Sequence, residues 1–384
     1  MTNPFQGHFL LNPEIIFLNH GSFGACPKPV FEAYQAWQLK LERQPVLFLG
    51  RELAAYQEQA RQALAEYLHA GPDDLVYLPN ATHGVNIVAR SLDLQPGDEI
   101  LTTDHEYGAC DNTWDFLCRK RGARYIHQPL PLPLADPDQI VEQLWQGVTS
   151  RTRLIFVSHI TSPTALILPV QAICRRARQQ GILTLIDGAH APGQIEVDLQ
   201  AIGADFYTGN CHKWMLSPKG AAFLYARPQL QNLVEPLVVS WGYSAGAGTT
   251  SGSRYIDLLQ WTGTMDPSAA LSVPCAIRFM HEHSWREVAA SCHRLAVETR
   301  RRLNTLTGLA ALCSEQAFHQ MFTVRLPAHT DLALLKAGLY NDFQIEVPTI
   351  LWNDQKLIRV SIQAYNSRSD AQALIDALTT LLEL

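Results

Sequence analysis

The chain has 384 residues, 47% hydrophobic and 17% charged, with a formal net charge of −6. That length buries a large core and divides most naturally into one big domain and a smaller one. The acidic balance gives no electrostatic footprint for nucleic acid or a membrane surface, and the densest basic run, RRAR at 175–178, reads as a solvated helix face.

The opening MTNPFQGHFLLNPEII has neither a basic leader nor a sustained apolar run. No later stretch stays apolar long enough to span a bilayer, so the expected location is cytoplasmic. The eight cysteines, at 26, 110, 118, 174, 211, 275, 292 and 313, form no CxxC pair and no metal-ligand spacing. Reduced, mostly buried thiols and no metal site are the expectation.

From about residue 75, short apolar or β-branched runs alternate with helix-like segments. LVYL precedes ATHGVNIVARSL, and DEILTT precedes a segment through NTWDFLCRKRG; then come ARYIHQ, RLIFVSHI, ILTLID, ADFYTG and AAFLYA. Strands spaced by helices predict an α/β fold with a mostly parallel seven-stranded sheet covered on both faces. Ligands in such sheets gather at the carboxyl ends of the strands. The glycine- and serine-rich WGYSAGAGTTSGSR (241–254) reads as a mobile loop, with Gly246 and Gly248 allowing it to cover a substrate.

After about residue 270 the pattern changes. CAIRFMHEHSWREVAASCHRLAVETRRRLNTL reads as a long helical region, followed by QMFTVRL, a helix over 331–342, LIRVSIQAYN and a last helix. This is a smaller α+β unit. The expected division is a large cofactor-binding domain over 20–270 and a small domain formed by 1–19 with 271–384.

The chemistry gathers around TGNCHKWMLSPKG (208–220). Lys213 lies just past the strand ADFYTG, where an α/β fold builds its site. Asp187 and His190 follow the strand LTLI, and PNATHGVN places Ala81, Thr82 and His83 at a helix start. A lysine amine forms a Schiff base with an aldehyde when burial or nearby cations keep it partly deprotonated. A carboxylate facing a pyridine nitrogen keeps that nitrogen protonated, and a helix N-terminus with hydroxyls suits a phosphate. Together these groups fit pyridoxal 5'-phosphate. The bland alternatives are a solvated lysine, a turn-forming Asp187 and Thr82 as a plain helix cap.

The segments LNHGSFGACP, NATHGVN, SHITSPTALILP, IDGAHAPGQIEVDLQAIGADFYTGNCHKW and IRVSIQAYN occur in order over nearly the whole chain. They resemble the class V aminotransferase family of fold type I pyridoxal-phosphate enzymes, in its isopenicillin N epimerase-like branch. The resemblance implies that Lys213 is the Schiff-base lysine and Asp187 the pyridinium partner. Ala81, Thr82, Asn210 and His212 match phosphate-binding positions. His190 falls where many relatives place a glutamine near the cofactor's phenolic oxygen, and Ser162 where cysteine desulfurases place an asparagine. Tyr107 lies near the position whose ring stacks on the cofactor, with His105 the competing candidate. Thr264 matches a residue that reaches the partner subunit's phosphate, which implies a homodimer with shared active sites. Arg359 resembles the arginine that grips the substrate carboxylate, with Asn19 and His20 also on the substrate side.

Departures from the family pattern narrow the chemistry. No cysteine follows Cys313, so the desulfurase nucleophile that precedes the Arg359 position is missing. Cys211 reads as a packed bystander. The expected reaction is epimerisation or racemisation at Cα through an α-carbanion, with a C–S lyase acting on cysteine, cystine or a thiol conjugate as the alternative. Lys213 serves as base on one face, and Tyr107, His20 or a water supplies the second acid. Three rivals remain: a serine hydrolase built on Ser244 in GYSAG with Asp257 and His281, a metal hydrolase built on Asp187, His190 and His212, and a non-catalytic protein that retains the fold as a binding or regulatory module, against which the presence of both Lys213 and Asp187 argues.

Overall fold

A computed structural model describes residues 4–134, 136–244 and 251–383. All seven expected runs are strands: β1 (Leu75–Leu78), β2 (Glu99–Thr103), β3 (Arg124–Gln128), β4 (Thr152–Ser158), β5 (Leu183–Asp187), β6 (Phe206–Asn210) and β7 (Ala222–Ala226). They form one sheet in the order β1-β7-β6-β5-β4-β2-β3. β7 runs antiparallel to both neighbours, and every other pairing is parallel.

The central strands β4, β5 and β6 are almost wholly buried and mostly apolar because both faces are covered. Alternate residues feed two cores. Ile155, Val157, Ile186, Tyr207 and Phe223 pack on one face, while Leu154, Phe156, Leu185, Phe206 and Leu224 pack on the other. Each such side chain, fully buried, contributes about 1.5–3 kcal/mol.

Helix α1 (Ala81–Ser91) starts at Asn80, whose Oδ1 accepts the His83 N–H at 2.9 Å. It lies close on β6: a Cβ at Gly84 would fall 2.3 Å from the Thr208 hydroxyl oxygen. Helix α2 (Gly108–Arg121) follows β2 directly after Tyr107 and stops at Gly122, at φ 69°.

Beyond the sheet, the expected long helix divides into α3 (Val273–Glu282) and α4 (Trp285–Thr307). The break falls where Ser284 takes a left-handed φ of 48°, which no α-helix accommodates. Strands β8 (Met321–Arg325), β9 (Thr349–Trp352) and β10 (Gln355–Ser361) form an antiparallel sheet in the order β9-β10-β8. Helices α5 (Leu332–Asn341) and α6 (Arg368–Leu381) pack with it, α6 starting with a Ser367–Asp370 capping box. Near the N-terminus, Ile16–Phe17 pairs in parallel with Ile345–Glu346, so the first residues join this C-terminal unit.

Trp241–Tyr243 forms one short 3-10 turn. Gly246 and Gly248 of the expected mobile loop lie outside the described residues. Among the described residues no helix is long and apolar enough to cross a membrane.

Candidate active site

After β6 the chain turns sharply through His212, Lys213 and Trp214. Two glycines with positive φ let other segments close on this turn. A Cβ at Gly24 would lie 2.1 Å from the His212 carbonyl oxygen and 2.9 Å from Lys213 Cα, and one at Gly193 would lie 2.3 Å from the Trp214 carbonyl. Lys213 Nζ lies 3.3 Å from His190 Nε2. The Trp214 indole N–H donates to His190 Nδ1 at 3.4 Å, so the neutral ring carries its proton on Nε2, facing the amine. Burial, and then the Arg359 charge, lower the Lys213 pKa to about 8, while Asp187 opposes that shift. On the order of a tenth of the amine is therefore unprotonated at pH 7, far more than for an ordinary lysine.

Asp187 closes β5 in register with Ser158 and Thr208. Its Oδ1 accepts the Ala189 N–H at 2.9 Å, and the Cys110 thiol donates to Oδ2 at 3.6 Å. Burial raises this carboxyl above its ordinary range, although the Ala189 bond and the Lys213 charge pull it down. A protonated ring nitrogen is the kind of partner such a buried carboxylate lacks. Cys110 was not apparent from sequence, because nothing in YGACDNTW places its thiol against a residue 77 positions away.

The phosphate end is partly filled already. Asn210 Oδ1 accepts the Ala81 N–H at 2.9 Å, and Asn80 is the helix cap, so Ala81 has no free N–H and Thr82 is not the cap. Thr82 retains an N–H and a hydroxyl with no hydrogen-bond partner among the described residues. His212 Nδ1 donates to the Ala221 carbonyl at 3.0 Å, leaving Nε2 available. Burial, with Lys213 nearby, lowers the His212 pKa to about 4; a phosphate dianion at Nε2 would oppose that shift. Thr264 is exposed.

Tyr107 and His105 occupy different environments. His105 is fully buried, with Nδ1 2.8 Å from the Thr164 hydroxyl, Nε2 3.0 Å from the Leu130 carbonyl, and its ring centroid 4.4 Å from that of Trp352. It has no face left for a cofactor. Tyr107 is 48% exposed and lies close enough to Arg359 to influence its charge. Between them Glu106, missed in the sequence, is buried. It accepts the Thr103 hydroxyl at 2.6 Å, and the Ser158 N–H and hydroxyl at 2.8 and 2.6 Å. Burial pushes its pKa up to about 8 despite those bonds. Glu106 thus ties the Tyr107 turn to the strand beside Asp187.

Arg359, on β10, is 5% exposed. Its Nη1 donates to the Ser162 carbonyl and hydroxyl at 2.6 and 3.1 Å, and its Nη2 to the Ser22 hydroxyl at 3.2 Å. Burial lowers its pKa to about 10, which still leaves it charged at neutral pH. Its Nε is buried without a hydrogen-bond partner, and no carboxylate pairs with it among the described residues. A buried cation lacking a counter-ion is a site for an incoming carboxylate.

Asn19 and His20 lie behind this position. Asn19 Oδ1 accepts the Ser22 hydroxyl at 2.5 Å and its Nδ2 donates to Glu346 at 2.9 Å. His20, fully buried, has Nε2 3.1 Å from the Lys213 carbonyl and Nδ1 3.0 Å from the Tyr365 hydroxyl. Ser22 is the residue of this turn that reaches the guanidinium, and no sequence signal marked it.

The rival sites do not assemble. Ser244 is exposed and ends a 3-10 turn rather than a strand, so it is no nucleophile elbow, and Asp257 instead accepts the Ser251 hydroxyl at 2.6 Å. No metal-binding cluster occurs among the described residues. Cys211 is fully buried, and burial pushes its thiol pKa far up, as expected for a bystander.

A lysine beside a strand-end carboxylate, a helix start and an unpaired guanidinium define a fold type I enzyme that uses pyridoxal phosphate. The sequence pattern of the Aminotransferase class-V family matches residues 24–374, and the chain belongs to that family. It is 37% identical to the isopenicillin N epimerase of Amycolatopsis lactamdurans over 97% of this chain and 96% of that one. A probable chloroplastic L-cysteine desulfhydrase of Arabidopsis thaliana is 29% identical over 97% and 84% of the two chains. In fold it matches the cystine C–S lyase C-DES, solved with its product cysteine persulfide. The TM-score is 0.86 at 23% identity, covering 96% of this chain and 98% of that one.

Proposed function

We propose that the protein is an isopenicillin N epimerase-like enzyme, inverting the α-carbon of an amino acid or amino-acid derivative through an α-carbanion. The observation that carries this reading is the pairing of a Lys213 amine 3.3 Å from His190 Nε2 with a buried Arg359 that has no counter-ion among the described residues. The 37% identity to an isopenicillin N epimerase over nearly the full length supports the reaction type.

When bound, pyridoxal phosphate supplies an electron sink for the carbanion. Lys213 would hold it and would serve as the base for the α-proton on its own face. Asp187 would hold a proton on the ring nitrogen. His190, whose Nε2 faces the Lys213 amine, would offer a hydrogen bond near the cofactor's phenolic oxygen, and Tyr107 would cover the ring. Thr82, Asn210 and His212 hold the phosphate, with Ala81 acting through the N–H it gives to Asn210. Ser162 aligns Arg359, which grips the substrate carboxylate.

His20 has both ring nitrogens engaged on the Lys213 side of the site, so the second proton comes from Tyr107 or a water. Thr264 is assigned to the partner subunit's phosphate in a cytoplasmic homodimer. The division into 20–270 and 1–19 with 271–384 belongs to the same proposal, supported by the pairing of Ile16–Phe17 with Ile345–Glu346.

A C–S lyase is the second reading, favoured by the relative named for L-cysteine desulfhydrase activity. The two separate in deuterium oxide. An epimerase puts deuterium on the α-carbon of isopenicillin N with inversion. A lyase releases sulfide or a thiol from cysteine, cystine or a conjugate. Failure of every candidate amino acid to exchange its α-proton sinks both.

A further inference from the structure

The turn His20–Gly24 touches both chemical ends of the site. At one end, His20 Nε2 donates to the Lys213 carbonyl at 3.1 Å, and its ring centroid lies 4.8 Å from that of Trp214. Because Nε2 donates, the neutral ring accepts the Tyr365 hydroxyl on Nδ1, at 3.0 Å. Gly24 packs on the same backbone with no room for a side chain. At the other end, the Ser22 hydroxyl lies 3.2 Å from Arg359 Nη2. Between them, the Gly21 N–H donates to the Ser361 hydroxyl at 3.1 Å, which fixes the turn to the strand that carries Arg359. A Cβ at Gly21 would lie 2.6 Å from Met321 Sδ.

We propose that this turn is a positioning element that sets the separation between Lys213 and Arg359, with His20 and Tyr365 anchoring the lysine's backbone and Ser22 the guanidinium. It rests on the reading of Lys213 as base and Arg359 as carboxylate clamp. A short turn welded at both ends fixes how far the α-carbon of an Arg359-bound amino acid stands from the amine. His20 acts through Lys213 and touches no reacting atom.

The test begins with cofactor-free protein, where reductive methylation of Lys213 by formaldehyde and borohydride is followed by mass spectrometry. His20→Ala and Tyr365→Phe should speed labelling of Lys213 several-fold, because the backbone anchor is loosened. His20→Gln, which keeps a donor within reach of the carbonyl, should restore much of the wild-type rate. Ser22→Ala should leave that rate alone. In the loaded enzyme, Ser22→Ala should raise KM with little change in kcat, and His20→Ala should lower kcat. Their effects on kcat/KM should also be non-additive, because one rigid turn carries both. Tyr365→Phe keeps the ring packing and so tests the anchor even if His20→Ala does not fold. Wild-type labelling rates in both His20→Ala and Tyr365→Phe would overturn the proposal, as would additive losses. A wild-type protein that takes up no pyridoxal phosphate would instead end the functional reading, while the labelling comparison still reports on the turn.

Discussion

Lys213, Asp187 and Thr82 lie at the ends of adjacent strands and on the helix packed against them, whereas Arg359 reaches its partners Ser162 and Ser22 across 197 and 337 residues of chain. The cofactor end is made by one sheet. Its strand register puts Asp187 beside Thr208, and β6 delivers Asn210, His212 and Lys213 in succession. The carboxylate end is an assembly of three segments: the N-terminal turn, the loop after β4 and the C-terminal antiparallel sheet. The first end holds its groups through the core of the fold. The second holds a buried charge through hydroxyls and a carbonyl, and is therefore more sensitive to small changes in packing.

That contrast predicts graded losses. Lys213→Ala should cost most, roughly 10²–10⁴-fold in turnover, because it removes both the anchor and the base. Single-turnover α-proton exchange in the presence of added pyridoxal phosphate measures it. Asp187→Asn should cost about 10²-fold in turnover with the fold intact, since a neutral amide no longer holds the proton on the ring nitrogen. Circular dichroism checks the fold alongside the rate.

At the other end, Arg359→Lys should act mainly on substrate binding, raising KM roughly 10- to 100-fold, because a point charge cannot replace a planar fork. A comparable loss confined to kcat would mean that Arg359 does not hold the substrate carboxylate.

The smallest effect belongs to Glu106. Its folded pKa of about 8 lies above the ordinary 4.5, so the folded protein binds this proton more tightly. The stability that it contributes is present in full below about pH 4.5 and is lost as pH rises through 8. Glu106→Gln should therefore raise the melting temperature relative to wild type more at pH 9 than at pH 5. A difference that is the same at both pH values would show that Glu106 is ionised in the fold.

What could be read from sequence follows the same division. All seven sheet strands were legible: most are short, largely apolar runs bounded by polar segments, while the partly exposed edge strand RYIHQ was marked only by its Tyr-Ile pair and its place in the alternation of strands and helices. Lys213 and Asp187 were legible because each follows such a run within three residues. Ser22, Cys110 and Glu106 were not, because their roles depend on tertiary contacts that leave no local pattern. The division of the long helix at Ser284 was hidden as well: His283-Ser284 carries no proline or glycine to mark a stop. Asn19 and His20 were singled out from their segment, but the direction in which each points is set by residues 346 and 365, which leave no local trace.

The central claim is that Lys213 carries the cofactor. The most direct test is to add pyridoxal phosphate to the purified protein, record the near-visible absorption before and after borohydride, and map the reduced adduct by peptide mass spectrometry. The account predicts a band that borohydride removes and a single adduct on Lys213. No band, or an adduct on another lysine such as Lys219 with Lys213 unmodified, would contradict it.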